Sequence, residues 1–529
     1  MTTIGIIGSG LTAISVAGKL IERGCHPVIL DVGKTLEPER QQVVQRLKQQ
    51  PPSSWDAADV AEMTENPTAL DSRPKKLAFG SDYAYAAQPD APPLVAPPWG
   101  PNPSFARGGF SAVWGAAMLP ADDCDLADWP VRRADLEPYY RQLLERLPLS
   151  AAEDPLSRSF PVYKSDPQAI DLATGARAFL DSLLKSRSLM HREDVLFGQA
   201  RLAVRRSDDA QGAGCAYCGR CMSGCVYGSI YKAEEDLTRY ERAGQVDYRP
   251  GHLVRRLEEH QDKVKVICDV ADHGQREVLL DRVFLAAGAI NSTRIVLESR
   301  QIFNRAVMMK STQGFVLPML RLKGASFDWP NTNTLAAAFV EFKVPNVSDH
   351  WVHAQISAPN EVVMSRLDFQ PHRGRLRDHA LKPAFKRLLV ALCNFHSDHA
   401  GVHQLTLQPP ENGAPSRLKI ESQPSHTFPR VGRRGARQLF RILARVKVVP
   451  LLPFIQGNYK EPWGWHFGGT LPMSSHPNHS LETDVLGRPT GWHRVHVVDS
   501  SVFPSIPGTT VGLLAMANAR RIADAAPLD

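Results

Sequence analysis

Four cysteines, Cys215, Cys218, Cys221 and Cys225, stand in the run CAYCGRCMSGC, half of the eight cysteines in the 529-residue chain. Their C-x2-C-x2-C-x3-C spacing is that of bacterial ferredoxin runs, with Val226 in place of the usual proline. Closely spaced thiolates with glycines between them let one loop wrap several corners of an iron–sulfur cube. Either the loop supplies all four ligands of a 4Fe–4S cube, or three bind a 3Fe–4S cluster, or Cys25, Cys124, Cys268 or Cys393 completes a cube. Zinc usually takes two separated C-x2-C knuckles, which are absent here. Two disulfides in so short a loop would be strained and need an oxidising compartment. Haem attachment needs C-x-x-C-H, which is also missing.

A second chemical site opens the chain. TIGIIGSGLTAISVAGKLIERGCHPVILDVG reads as strand, tight turn, helix and strand. Gly8, Gly10 and Ala13 form G-x-G-x-x-A between the apolar strand and the helical period. Gly8 makes the turn, Gly10 lets backbone approach a pyrophosphate, and Ala13 permits close helix–strand packing. The helix N-terminus offers N–H groups to phosphates, and Asp31 accepts from a ribose hydroxyl. The strand before, the helix after and the acid about 20 residues on are the context that makes this a dinucleotide fingerprint. It is the only one: GGFSAVWG (108–115) follows SFAR rather than a strand, which counts against an enzyme holding both FAD and NAD(P)H.

The elements that must position these groups lie far apart in the chain. WHFGGTLPMSS (465–475) and the stretch 483–524 resemble the closing signature of the glucose–methanol–choline (GMC) flavoprotein oxidoreductases. The features are His466, Gly469–Thr470, Asp484, Gly487–Arg488, Val498–Asp499, Ser501 and Pro504. GGFSAVWGAAM (108–118) resembles the family's flavin loop, and FLAAGAINSTRIVLES (284–299) its A-A-G-x-x-x-S strand–turn–helix. The resemblance spans both ends and the middle of the chain. It implies an α/β fold: a discontinuous Rossmann-like FAD-binding domain (1–300 and 460–529) and an α+β substrate domain with an antiparallel sheet (301–459).

The resemblance also implies FAD, covalent or non-covalent, held by Gly8, Gly10, Ala13, Asp31, Gly108, Gly109, Ser111, Trp114, Gly115, Ala287, Gly288, Asp499, Ser500 and Thr509. His466 matches the family's catalytic histidine, the base that takes a hydroxyl proton while hydride leaves carbon. The family's second catalytic position, usually His or Asn, falls on Thr510. Threonine can bond a substrate oxygen but carries no proton charge, which also brings a redox-neutral lyase or isomerase into view. His493 and His496 are candidate stand-ins, although both read more simply as strand structure. Some sugar dehydrogenases of this family carry an iron–sulfur cluster in a cysteine-rich loop, and CGRCMSGCVYGSIY resembles such loops. The implied activity is FAD-dependent oxidation of a sugar, polyol or other alcohol. Electrons then leave through the cluster to an acceptor protein or quinone. The alternatives are a lyase or isomerase, and an oxygen-using alcohol oxidase.

Residues 35–95 begin with a helical LEPERQQVVQRLKQQ and turn Pro/Ala-rich, which reads as a lid or insertion rather than a strand. LAAAFVEFKV and HQLTLQPP alternate like strands. RVHVV (494–498) reads as a strand, with Thr509 or Thr510 capping a helix that runs to Asp524. NFHSDHAGVH holds His396, His399 and His403, whose plainer reading is surface or pocket lining rather than a metal site. At 43% hydrophobic, 22% charged and net +7, the chain is globular without a basic run, so nucleic acid is not implied. No membrane span and no signal peptide are read, and a reducing cytoplasm is expected.

Overall fold

The computed structural model describes residues 2–528 apart from 65–75, 98–99, 272, 324–330, 362–382, 412–413, 456–461 and 463. Its first part is a parallel sheet. β1 (Ile4–Ile7) lies at the centre, and Ile6 pairs with Ile29 of β2 (Val28–Leu30) on one side. β3 (Asp247–Arg249) extends the sheet beyond β2. On the other side β1 pairs with β4 (Arg282–Leu285), and β4 with β5 (Val495–Val497), giving the order β5-β4-β1-β2-β3. β1 and β4 are buried along their whole length, as parallel strands covered on both faces must be.

One face is covered by α1 (Leu11–Glu22), which packs beside the late helix α3 (Gly512–Ala525). The Ser15 hydroxyl donates to the Met516 carbonyl at 2.7 Å, and buried Arg520 reaches back to Glu22. The opposite face carries a three-stranded antiparallel sheet, His252–Glu259, Val264–Val270 and Gly274–Leu280. Leu280 packs so closely on β1 that a Cβ at Gly5 would lie 2.3 Å from its Cδ1. α2 (Ala289–Ser299) follows β4, and Ser299 Oγ accepts from Leu257 N at 2.7 Å. The expected discontinuous Rossmann-like architecture is therefore present, with strands from both ends of the sequence in one sheet.

The second part is built on a six-stranded antiparallel sheet. Its order is Val448–Pro450, Gln313–Arg321, Leu388–Phe395, Ser348–Ser357, Ala338–Val344 and Leu196–Gln199. One face is apolar (Phe315, Phe342, Ala354, Phe395) and packs against the helix Phe428–Arg445 through Val431, Leu439, Ile442 and Leu443. Close approach needs Gly435, where a Cβ would meet the Phe395 ring at 2.5 Å. A further five-stranded sheet joins Phe467–Gly468, Ala306–Ser311, Val402–Gln408, Arg417–Gln423 and Leu94–Val95.

Three of these strands come from outside 301–459. Leu196–Gln199 pairs with the start of Ala338–Val344, Phe467–Gly468 pairs with Lys310–Ser311, and Leu94–Val95 pairs with Leu418–Lys419. The last of these places a two-residue strand inside a stretch expected to hold none; it is an edge strand, where neighbouring prolines cost no ladder bond. α3 is also capped differently from the expectation. Its N-cap is Val511 with no side-chain cap bond, because the hydroxyl of Thr510 bonds elsewhere.

Candidate active site

Gly8 and Gly10 take the places their chemistry predicts. Gly8 has φ 98°, and a Cβ there would lie 2.6 Å from the Ala286 carbonyl oxygen, so only glycine lets β1 turn beside β4. Gly10 is the N-cap of α1 with no side-chain cap bond, and a Cβ built on it meets nothing within 4 Å. Ala13 is fully buried against the sheet. An uncapped helix N-terminus facing open space is a cradle for a pyrophosphate.

Asp31, just past β2, is buried. Its Oδ2 accepts from the Ser9 hydroxyl and from Tyr248 Oη at 3.2 Å. Burial pushes its pKa up to about 6, against the pull of those hydrogen bonds and of Arg107. Ser9 also accepts from Gly108 N at 2.9 Å. One hydroxyl thus ties Asp31 to the 108–115 loop, a role the sequence reading missed. That loop crosses the start of α1, since a Cβ at Gly109 would lie 3.3 Å from Gly10 Cα. Ser111 braces it, donating to Gly108 O at 2.5 Å and accepting from Ala233 N at 2.9 Å. Trp114 donates from its indole to Tyr231 O at 2.8 Å, and its ring lies 3.1 Å from where a Cβ of Gly512 would be. Gly115 has open space at its Cβ position.

The N-termini of α1 and α3 are neighbours: the Gly512 Cβ position is also 3.8 Å from Leu11 Cδ1. Neither helix has a side-chain cap. Just before α3, Thr509 is fully buried and its Oγ1 has no partner. A buried hydroxyl without a partner is costly unless something else bonds to it. The two helix ends, this hydroxyl and the open cradle at Gly10 fit a dinucleotide such as FAD lying along the 108–115 loop.

Other expected residues are ties within the protein. Asp499 is buried and accepts four donors: Gly288 N at 2.9 Å, Ser292 Oγ at 2.5 Å, Ser501 N at 2.9 Å and the Ser501 hydroxyl. Burial raises its pKa against those bonds. It locks the Ala287–Gly288 turn, where Gly288 has φ 82° and caps α2, to the segment after β5. Ser500 Oγ donates to Phe467 O at 2.9 Å.

His466 is half-buried and directly precedes Phe467. Its carbonyl accepts from Thr312 N at 2.9 Å, and its N–H donates to Thr312 Oγ1 at 3.4 Å. From there residues 467–473 run along 500–502, with Gly469 N on Ser500 O at 2.8 Å and Leu471 N on Ser501 O at 2.8 Å. The structure therefore joins the His466 segment to the segment leading to Thr510. Thr510 itself is buried, and its Oγ1 accepts from Leu119 N at 2.7 Å. The hydroxyl is a bracket to the residues following the flavin-like loop. His496 is a core residue of β5, stacked on Phe284 at 5.1 Å with Nδ1 2.9 Å from Leu486 O. His493 donates its backbone N–H to Glu259. His403 lies in the strand Val402–Gln408, its Nδ1 2.8 Å from Ser422 Oγ.

The cysteine loop lies beside the flavin-like loop. Lys76 Nζ donates to Trp114 O at 2.9 Å, and burial lowers its pKa beside Cys221, Glu361 and Cys225. Every sulfur receives an N–H. Asn333 Nδ2 reaches Cys215 at 3.6 Å, Thr334 N reaches Cys221 at 3.4 Å, and Ser229 N reaches Cys225 at 3.2 Å. The backbone N–H groups of Tyr217 and Arg220 bond to Cys215 and Cys218. Burial raises the Cys215 and Cys221 thiols and pushes Cys218 up to about 12. All four are free thiols, and among the described residues no three of the sulfurs lie within 4.8 Å of one another. As folded, the sulfurs take neither the closed arrangement of a tetrahedral zinc site, about 3.8 Å apart around Zn–S bonds of about 2.3 Å, nor the cluster-like arrangement expected of the run.

Residues 404–519 match a family model described as GMC oxidoreductase. No curated protein matches the chain. Among solved structures, pyridoxine 4-oxidase from Mesorbium loti is similar, with 16% identity, a TM-score of 0.59, and coverage of 99% of this chain and 98% of that one. At that identity the likeness speaks for the fold. Among the described residues no helix is long and apolar enough to cross a membrane. The family match is confined to the C-terminal region, and the solved structure shares the α/β fold over almost the whole chain.

Proposed function

We propose that this protein binds FAD and oxidises the hydroxyl-bearing carbon of a small alcohol, a sugar or polyol among the candidates. The observation that carries the reading is the meeting of two uncapped helix N-termini with the buried, unpartnered Thr509 hydroxyl. When bound, FAD supplies the acceptor for the hydride. Gly8, Gly10 and Asp31 hold the nucleotide end, and Gly108, Gly109 and Trp114 close over it. His466 takes the substrate hydroxyl proton, the general-base role that histidine fills most often. Thr510 holds the loop at Leu119 rather than sharing the proton, so the proton-transfer role falls on His466.

Two acceptors are in play. The N–H bonds to all four cysteine sulfurs favour a cluster relay, because such bonds tune and stabilise cluster-bound thiolates. In that reading the electrons pass to an external protein or quinone. The likeness to an enzyme named an oxidase favours molecular oxygen instead. A redox-neutral lyase on the same fold is the remaining alternative.

The test is anaerobic reduction of the bound flavin by candidate alcohols, together with iron and sulfide per flavin in protein purified without oxygen. Flavin bleaching by an alcohol, lost in His466→Ala with FAD retained, supports the reading. Turnover without reduced flavin would replace it with the lyase. About three or four irons per FAD identify the relay; peroxide formation without iron identifies the oxidase.

A further inference from the structure

The turn Ser397–His399 follows the strand Leu388–Phe395 and faces the start of the strand Ser348–Ser357. Five side chains able to ligate a metal meet there. His350 Nε2 is 3.2 Å from Asp398 Oδ2, and its Nδ1 is 3.5 Å from Asp125 Oδ1. His396 Nδ1 lies 3.5 Å from Asp398 Oδ1, and the His399 ring stands edge-on to His350 at 6.2 Å. One donor atom each from His350, His396 and Asp398 falls within a span of 4.8 Å.

An ion pair between His350 and its two carboxylates accounts for only part of this. His396 is 1% exposed and Asp125 0% exposed, yet His396 Nε2, His399 Nε2 and Asp125 Oδ2 are buried without a hydrogen-bond partner. Native proteins rarely leave three such atoms in one place. The His350 and His396 rings are also pressed face to face, 3.6 Å apart and 8° from parallel. That arrangement is poor for two charged imidazoles, whereas neutral imidazoles and carboxylates together suit a transition metal.

We propose that His350, His396 and Asp398 form a binding site for one divalent transition-metal ion of the zinc, cobalt or nickel class. Asp125 is the carboxylate that orients His350, in the manner of outer partners of metal-bound histidines. Nitrogen and oxygen ligands in this ratio select against calcium and magnesium, which prefer all-oxygen shells. Ring nitrogens bind in the plane of the ring, so one stacked imidazole turns about its side-chain bonds when the ion enters. Asp398 is 45% exposed, which leaves a way in from solvent.

The site grips the path to α3. Ser397 N donates to Ile506 O at 3.0 Å, Ile506 N donates to Ser397 Oγ at 2.9 Å, and a Cβ at Gly508 would lie 3.0 Å from His396 N. An ion held here clamps the turn that carries residues 506–508, directly before Thr509 and Thr510. The role is structural, and it stands whether or not the flavin reading does.

The experiment is Co2+ titration of the full-length, chelator-stripped protein, followed by visible absorption and by metal content after dialysis. The variants are His350→Ala, His396→Ala, Asp398→Asn and a Cys215→Ser/Cys218→Ser double variant. One Co2+ per chain with nitrogen–oxygen ligand-field bands is expected, insensitive to the cysteine changes and weakened at least about 100-fold in each of the other three. Asp398→Asn keeps the shape of a half-exposed side chain, so its loss of binding with an unchanged melting curve reads on the ligand alone. Absence of stoichiometric Co2+ overturns the proposal. So does binding lost only in the cysteine variant, or binding unaffected by Asp398→Asn.

Discussion

His496 gives the sharpest test of how the parallel sheet is built. It is fully buried in β5, and burial depresses its pKa to about 4 from the ordinary 6.5, with Arg282 and Arg488 adding to the effect and the Leu486 carbonyl opposing it. The unfolded chain binds a proton there below about pH 6.5, and the folded chain does so only near pH 4. Between those values the unfolded state holds more protons, so stability falls as pH falls. The gap of about 2.5 units corresponds to about 3 kcal/mol in full, of which about 2 kcal/mol is lost between about pH 7 and pH 5. His496→Gln keeps a donor for the Leu486 carbonyl but cannot titrate. Urea denaturation of both proteins at about pH 7 and pH 5 isolates this residue, because every other titrating group contributes equally to the two. The variant is expected to be the less stable protein near pH 7 and to gain about 2 kcal/mol on wild type by pH 5. A difference that stays constant across pH would refute the burial argument, and with it the assignment of His496 to the core.

Gly10→Ala places a Cβ in the open cradle at the start of α1 with no protein atom within 4 Å, so the purified variant is expected to fold, by circular dichroism, but to retain less flavin. Asp31, with its pKa near 6, accepts most strongly from a ribose when ionised. FAD affinity in wild type should fall as pH drops through about 6, whereas Asp31→Asn should be weaker by roughly 10–100-fold near neutrality and flat with pH. Thr510→Val leaves the buried Leu119 N–H unsatisfied and should cost about 1–3 kcal/mol in urea unfolding, with Thr510→Ser close to wild type. His466→Ala should lower flavin reduction by alcohol about 100- to 10,000-fold with FAD content unchanged, read by anaerobic stopped flow.

What was legible in the sequence is what local pattern encodes. Gly8, Gly10, Ala13 and Asp31 fall within one strand–turn–helix–strand unit, and β5 and α3 carry their own apolar period, so these elements stand where they were expected. The strand Leu196–Gln199 could not be read that way, because it has four residues and gains its place only by pairing with Ala338–Glu341. The bond from Thr510 to Leu119 spans 391 residues, and no local signal distinguishes a bracketing threonine from a capping one. His396 and His399 were visible in one stretch with His403, but His350 joins them only because two antiparallel strands bring it across the sheet. Ser9, a neutral residue inside a glycine motif, was passed over because its hydroxyl acts on Gly108 and Asp31, partners set by the tertiary fold.

The side-by-side packing of α1 and α3 has a consequence for how the protein is made. The two helices are stitched by a bond between residues 501 positions apart, and β5 must add to β4 before the sheet has its full width. While the chain is being synthesised, the glycine turn and Asp31 emerge early, but Thr509 and the α3 N-terminus follow some 480 residues later. At about 5–20 residues per second that interval is roughly half a minute to a minute and a half. Throughout it the side of α1 that packs on α3 has no partner helix, although the helix Ala233–Arg242 can already cover another side. A site that needs both helix ends is therefore completed only by the whole chain, and the nascent protein passes through a long window in which that surface is uncovered.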